Sequence, residues 1–177
     1  SNDGMLRAIN GNRSEAHNGA TTGTGTPAGG EFWAFLPPEA YSNVDRNFKN
    51  SPIVKFPASG ATVGASGAPK PYGADGPLTA AQFGSARYLY MGMRRGGRSI
   101  YGFDVSSAGT PSLKFRLGCT TPLGDNGGCA SGWNDVGQTW SPIRVTYVTG
   151  DNTPYLVMGG GYDTCEDVDD PNGPANN

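Results

Sequence analysis

The residues able to do chemistry in this chain are few and widely spaced. Its 177 residues hold three cysteines, one histidine and 15 acidic side chains. Cys119 and Cys129 bracket a loop carrying Thr120-Thr121-Pro122 and Asp125-Asn126-Gly127-Gly128. No C-x-x-C pair and no nearby histidine accompany them, so the pattern of a zinc site is missing. A disulfide closing the loop is the better reading, and it implies an oxidising compartment. Cys165 is left over, either as a free thiol or with a partner beyond residue 177; the second is favoured. His17 lies in a Gly/Thr loop with no Cys or His companion. Nothing there would orient an imidazole, so a Ser-His-Asp arrangement lacks its base and His17 reads as an exposed loop residue.

The carboxylates follow the same logic. Asp75 and Asp104 are the isolated ones beside structured runs, and each reads as a turn or strand-end residue bonding its local backbone. Asp167 to Gly173 comes nearest to a calcium loop, which needs ligands at positions 1, 3 and 5 and Gly at 6. With Gly173 at the sixth position, Asn172 and Asp170 fit, but Val168 occupies the first. A solvated acidic loop is therefore expected. Arg94, Arg95 and Arg98 form the basic cluster. They read as a solvated hairpin tip, with a phosphate or glycan contact as the alternative. Trp33, Trp133 and Trp140 are candidates for a glycan platform; Trp33 reads as core, and Trp133, in the cysteine loop, is the best placed of the three for an exposed contact, with a structural role still the favoured reading. A net charge of −2 and a pI of about 5.3 give no sign of a nucleic-acid partner.

These residues must be positioned by strands. Gly and Pro, 29 and 14 in number, make up about a quarter of the chain and punctuate aromatic runs, an all-β pattern rich in turns. Eight Tyr, seven Phe and three Trp supply the apolar surface that offsets ordering. The organising stretch is Tyr88 to Val105. Its second half puts Tyr101, Phe103 and Val105 on one face and Ile100, Gly102 and Asp104 on the other, a strand period. Gly96-Gly97 predicts a tight hairpin turn with positive φ. Further strands are expected at Met5–Asn10, Glu31–Leu36, Ser51–Phe56, Ser112–Leu117, Ile143–Val148 and Tyr155–Met158, with one short helix within 39–50. No 18-residue apolar run occurs. Asn2-Asp3-Gly4 is turn chemistry, which places residue 1 at a hairpin tip.

The strands repeat. Met5–Asn10 falls on Ser99–Asp104, Glu31-Phe32-Trp33 on Leu113-Lys114-Phe115, and Tyr155–Met158 on Leu89–Met91. Repeated four-stranded units separated by insertions point to a β-propeller. The unit spans residues 1–177 as a partial propeller, with loops 11–30, 57–77 and 118–136 and the tail 163–177 as insertions.

The motifs SNDGMLRAIN, EFWAFLPPEAY, YGADGPLT, GGRSIYGFDV, GQTWSPI and LVMGGGYD, in this order, resemble the C-terminal propeller of the PilC/PilY family of type IV pilus-tip proteins. The resemblance implies about the first half of a quinoprotein-like β-propeller on the cell surface at the pilus tip. It implies roles in pilus biogenesis, twitching motility and adhesion. The partners implied are the remainder of the propeller, minor pilins and a host or abiotic surface ligand. The family's calcium site is expected outside this chain, leaving no cofactor within it. A non-catalytic surface module is the leading expectation. A pyrroloquinoline-quinone-dependent dehydrogenase propeller is the alternative, and a hydrolase stands third.

Overall fold

The computed structural model describes residues 3–12, 25–54, 70–121 and 127–162. Among them the strands are β1 (Leu6–Ile9), β2 (Glu31–Phe35), β3 (Leu78–Phe83), β4 (Ala86–Gly92), β5 (Arg98–Asp104), β6 (Ser112–Cys119), β7 (Arg144–Tyr147) and β8 (Pro154–Val157). A 3-10 turn over Pro38–Asn43 leads into a short helix, α1 (Val44–Lys49). All pairings are antiparallel: a β1-β2 hairpin, a four-stranded sheet in the order β3-β4-β5-β6, and a β7-β8 hairpin. The all-β expectation holds.

β5 is the spine. Residues 98–103 are all buried, because the four-stranded sheet is covered on both faces. On one face Met91, Met93, Tyr101 and Phe103 pack with Leu6, Trp33 and Phe35 of the first hairpin. On the other, Tyr90, Ile100, Phe115 and Leu117 pack with Ile143, Val145 and Leu156 of the last. The alternation read from residues 99–105 thus divides between two cores. Each fully buried large side chain here contributes about 1.5–3 kcal/mol. Trp33 is core, as its sequence context suggests, with its indole N–H donating to the Ala108 carbonyl at 3.0 Å.

The repeat is present in the pairing register. Leu6 pairs with Phe35, Ala8 with Trp33 and Ile9 with Glu31. The aligned residues pair in the same way: Ile100 with Leu117, Gly102 with Phe115 and Phe103 with Leu113. Both ladders slip at the same aligned step, between Ala8 and Ile9 and between Gly102 and Phe103. The aligned side chains also face the same way along the chain. Leu6, Trp33 and Phe35 pack forward onto the four-stranded sheet, and Ile100, Phe115 and Leu117 pack forward onto the last hairpin.

Three local expectations change. Residues 51–54, the described part of Ser51–Phe56, form no named strand: α1 ends on Asn50 in the left-handed region (φ 49), and Pro52 has no N–H to give a ladder. β3 carries Leu-Thr-Ala-Ala-Gln-Phe, where the alanines mute the strand signal that its pairing with β4 reveals. The β4-β5 connection is not a two-residue glycine turn. It is a 3-10 turn over Arg94–Gly96, and Arg94 takes the positive φ (49) while Gly97 is extended (φ 162). Gly96 is required for a different reason: a Cβ there would stand 1.8 Å from the Gly73 carbonyl oxygen.

Candidate functional site

The turn at 93–99 is where four distant segments meet. Thr139 is fully buried, and its hydroxyl accepts from the Met93 N–H at 2.7 Å and donates to the Ser99 carbonyl at 3.1 Å. It closes the mouth of the turn from the neighbouring segment. The backbone adds to this, with Arg94 N–H donating to the Thr139 carbonyl at 3.2 Å.

The three arginines do different work, so the single solvated tip expected from sequence is corrected. Arg98 is 3% exposed, and its guanidinium donates to the carbonyls of Val136 (2.7 Å) and Asn134 (2.6 Å). The β-strand carries this arginine inward because the chain at 134–136 supplies carbonyl acceptors in place of water. Arg94 stacks over Trp140 at 4.7 Å. Arg95 is exposed, stands 5.5 Å from the centroids of both Tyr72 and Trp140, and donates from Nη1 to the Tyr72 hydroxyl at 3.0 Å. Trp140 is therefore a platform for arginines. Trp133 packs against the second core.

Glu39, on the 3-10 turn after Pro37-Pro38, reaches β5. Its Oε2 accepts from the Tyr101 hydroxyl at 2.6 Å, while Oε1 is buried without a hydrogen-bond partner. Burial first, and then the bond to the Glu39 carboxylate, push the Tyr101 hydroxyl well above the ordinary tyrosine range.

Between these groups lies a cleft of about 770 Å³. Glu39, Asn43, Lys70, Tyr72, Arg95 and Thr120 are among its lining residues. Lys70 stands 5.3 Å over the Tyr72 ring. Sequence reasoning found the arginines and missed Glu39, Tyr72 and Lys70, which only the tertiary fold brings to the same place.

Cys119 and Cys129 are disulfide-bonded, with a Cα–Cα distance of 3.9 Å. The bond fixes the wall of the cleft that carries Thr120 and Thr121. Asp104 is a strand-end residue, as read from sequence. Its Oδ1 accepts from the Ser106 N–H at 2.9 Å, and hydrogen bonding from Ser106 lowers its pKa. Asp75 lies at the opposite, turn end of the sheet beside Met5, Leu6 and Arg7, so the two carboxylates do not meet. His17, Cys165 and Asp167–Gly173 fall outside the described residues. Among the described residues no group of three His, Cys, Asp or Glu side chains is placed to hold a metal ion, and no helix is long and apolar enough to cross a membrane.

Comparison with known proteins finds no matching family model, no matching curated relative and no matching solved structure.

Proposed function

We propose that this chain is part of a β-propeller and serves as a non-catalytic cell-surface module of a type IV pilus-tip protein, acting in pilus biogenesis, twitching motility and adhesion. The observation that carries the propeller reading is the repeated register. Equivalent residues of β1-β2 and β5-β6 pair alike, slip at the same step and pack forward onto the next sheet. Sheets of one construction stacked face to face in chain order are what propeller blades are. On this reading β1-β2 are the last two strands of one blade, β3–β6 a whole blade and β7-β8 the first two of the next.

The pilus-tip reading rests on the six ordered motifs, two of which have structural roles in the fold. GGRSIYGFDV forms the buried spine, and GQTWSPI contributes Thr139 to the turn closure. Surface loops on a rigid β scaffold suit a binding role. The resemblance puts the family's calcium site outside this chain.

Immunogold labelling of intact cells with antibody to this chain tests the location. Label at pilus tips is expected, and label confined to the cell interior overturns the reading. Dye reduction by the purified protein with pyrroloquinoline quinone, Ca²⁺ and an alcohol tests the alternative. Turnover lost in Asp75→Asn or Asp104→Asn would establish a dehydrogenase instead.

A further inference from the structure

We propose that the notch where the turn ends of the β3-β4 and β7-β8 hairpins meet binds a neutral pyranose sugar, with Phe83, Tyr88 and Tyr147 as apolar walls and the Tyr90 hydroxyl and Asn152 amide bonding the sugar hydroxyls. The inference goes beyond the pilus-tip reading, because binding by the purified chain decides it wherever the protein is displayed. The notch holds about 410 Å³, within the range of small-molecule sites, about 300–1,000 Å³.

Strand register builds the notch. Phe83 and Ala86 are the last ladder pair of β3-β4, and Tyr147 and Pro154 are the last of β7-β8. Both pairs line the space. Alternation along β4 sends Tyr88 and Tyr90 to the face that packs with the β7-β8 hairpin. Phe83 lies 5.7 Å from Tyr88 with ring planes 46° apart, and 6.3 Å from Tyr147 with planes 82° apart. Rings tilted in this way form walls, not one flat platform. Asp151 orders the turn that follows Tyr147. Its N–H donates to the Val148 carbonyl at 2.9 Å, its Oδ1 accepts from the Thr153 N–H at 2.8 Å, and its Oδ2 accepts from the Tyr155 hydroxyl at 2.7 Å. Asn152 is thus presented from an ordered turn, and the neighbouring carboxylate is already engaged.

The polar groups point to the ligand. Tyr90 is only 7% exposed, yet its hydroxyl makes no hydrogen bond among the described residues. Unlike Glu39 Oε1 it is not sealed from solvent, and Tyr90 lines the notch. The side chains of Tyr88, Tyr147 and Asn152 likewise make no hydrogen bond among the described residues. A largely buried hydroxyl left unpaired costs free energy that a ligand hydroxyl recovers. No charged side chain lines the notch, so an ionic ligand would find no counter-charge. A quaternary ammonium would use the ring faces and leave the protein hydroxyls unpaired. A proline-rich segment would bring carbonyl acceptors and no donor for the Asn152 oxygen. A pyranose turns C–H bonds toward the negative ring faces, and its hydroxyls both donate and accept.

Ligand-observed NMR of the full chain with methyl β-D-galactoside and methyl β-D-glucoside tests this, beside cyclohexanol, tetramethylammonium and hexaproline. At least one glycoside should bind with a dissociation constant of about 1 mM, the affinity that ordinary ligand efficiency gives so small a molecule. The other three compounds should each be weaker by about fivefold or more, the worth of one hydrogen bond. Tyr90→Phe removes only the unpaired hydroxyl. It should weaken the glycoside about fivefold and leave the urea midpoint unchanged or higher, since the fold loses no hydrogen bond. Tyr147→Ala, at a ring 54% exposed, should weaken it about three- to tenfold, and Asn152→Ala about fivefold. Absence of glycoside binding overturns the assignment. So does cyclohexanol, tetramethylammonium or hexaproline binding as tightly, or an unchanged affinity in any of the three variants. A lowered urea midpoint in Tyr90→Phe would make the hydroxyl structural and overturns it as well.

Discussion

The hydroxyl of Thr139 sits 2.7 Å from the backbone nitrogen of Met93, 46 residues away in sequence, at a point of zero solvent exposure. The same oxygen donates to the Ser99 carbonyl, so one side chain bridges the two strands where they enter and leave the turn. Gly92 allows this approach, since a Cβ there would stand 2.8 Å from the Thr139 carbonyl oxygen. Thr139→Val keeps the shape and removes both bonds. It should lower unfolding free energy by about 1–3 kcal/mol, the cost of leaving a buried N–H and C=O unpaired. Thr139→Ser should recover much of that loss. Urea denaturation midpoints check it; equal midpoints for the Val and Ser variants would remove the hydroxyl from the account.

Arg98 poses a second test. Its buried guanidinium is tolerated because the Asn134 and Val136 carbonyls accept hydrogen bonds from it. Lysine presents a single point donor and cannot hold two carbonyls in a planar fork. Arg98→Lys should therefore destabilise by about 2 kcal/mol. Crystallography or amide exchange should place the disturbance in residues 134–136. Wild-type stability and protection in Arg98→Lys would show that the fork geometry is unimportant.

Much of this arrangement was legible before folding. Residues 99–105 alternate, so their division between two faces could be read directly, while the covering of both faces by separate cores could not. The Cys119/Cys129 pair stood out by elimination of metal chemistry. The repeat placed Ala8 on Gly102 and Trp33 on Phe115, which is how the ladders pair. What stayed hidden is long-range and polar. Tyr101 and Glu39 are 62 residues apart and bonded through single side-chain atoms, which leave no periodicity to detect. The turn was misread because Gly96-Gly97 matches a tight-turn pattern. Here glycine instead serves the close passage of the Gly73 backbone, and Arg94 adopts the left-handed conformation.

The disulfide closes a short loop, with ten residues of sequence separation. Constraint of the unfolded chain by such a loop is worth about 3 kcal/mol. Cys119→Ser/Cys129→Ser should lose about that much stability, and wild-type protein under reducing conditions should lose the same amount. Chemical denaturation with and without reductant measures both. Indistinguishable oxidised and reduced midpoints would mean that the folded state does not need the bond.

The final prediction concerns alkaline pH. Burial and the Glu39 carboxylate raise the folded pKa of Tyr101 above the unfolded tyrosine value of about 10. The neutral hydroxyl is the form that the fold favours. Its contribution is therefore complete below about pH 10 and is lost as the pH climbs from the unfolded value toward the folded one, since the unfolded chain releases its proton first. Tyr90 and Tyr155 are raised too, so the wild-type slope is a shared one. Tyr101→Phe isolates the Tyr101 part. At neutral pH it should cost about 1–3 kcal/mol, because Glu39 Oε2 would join Oε1 without a donor. Between pH 9 and about 11.5, stability should fall less steeply in Tyr101→Phe than in the wild type. Parallel curves over that window would mean that Tyr101 ionises as freely in the folded protein as in the unfolded one, and would break the link between Glu39 and β5.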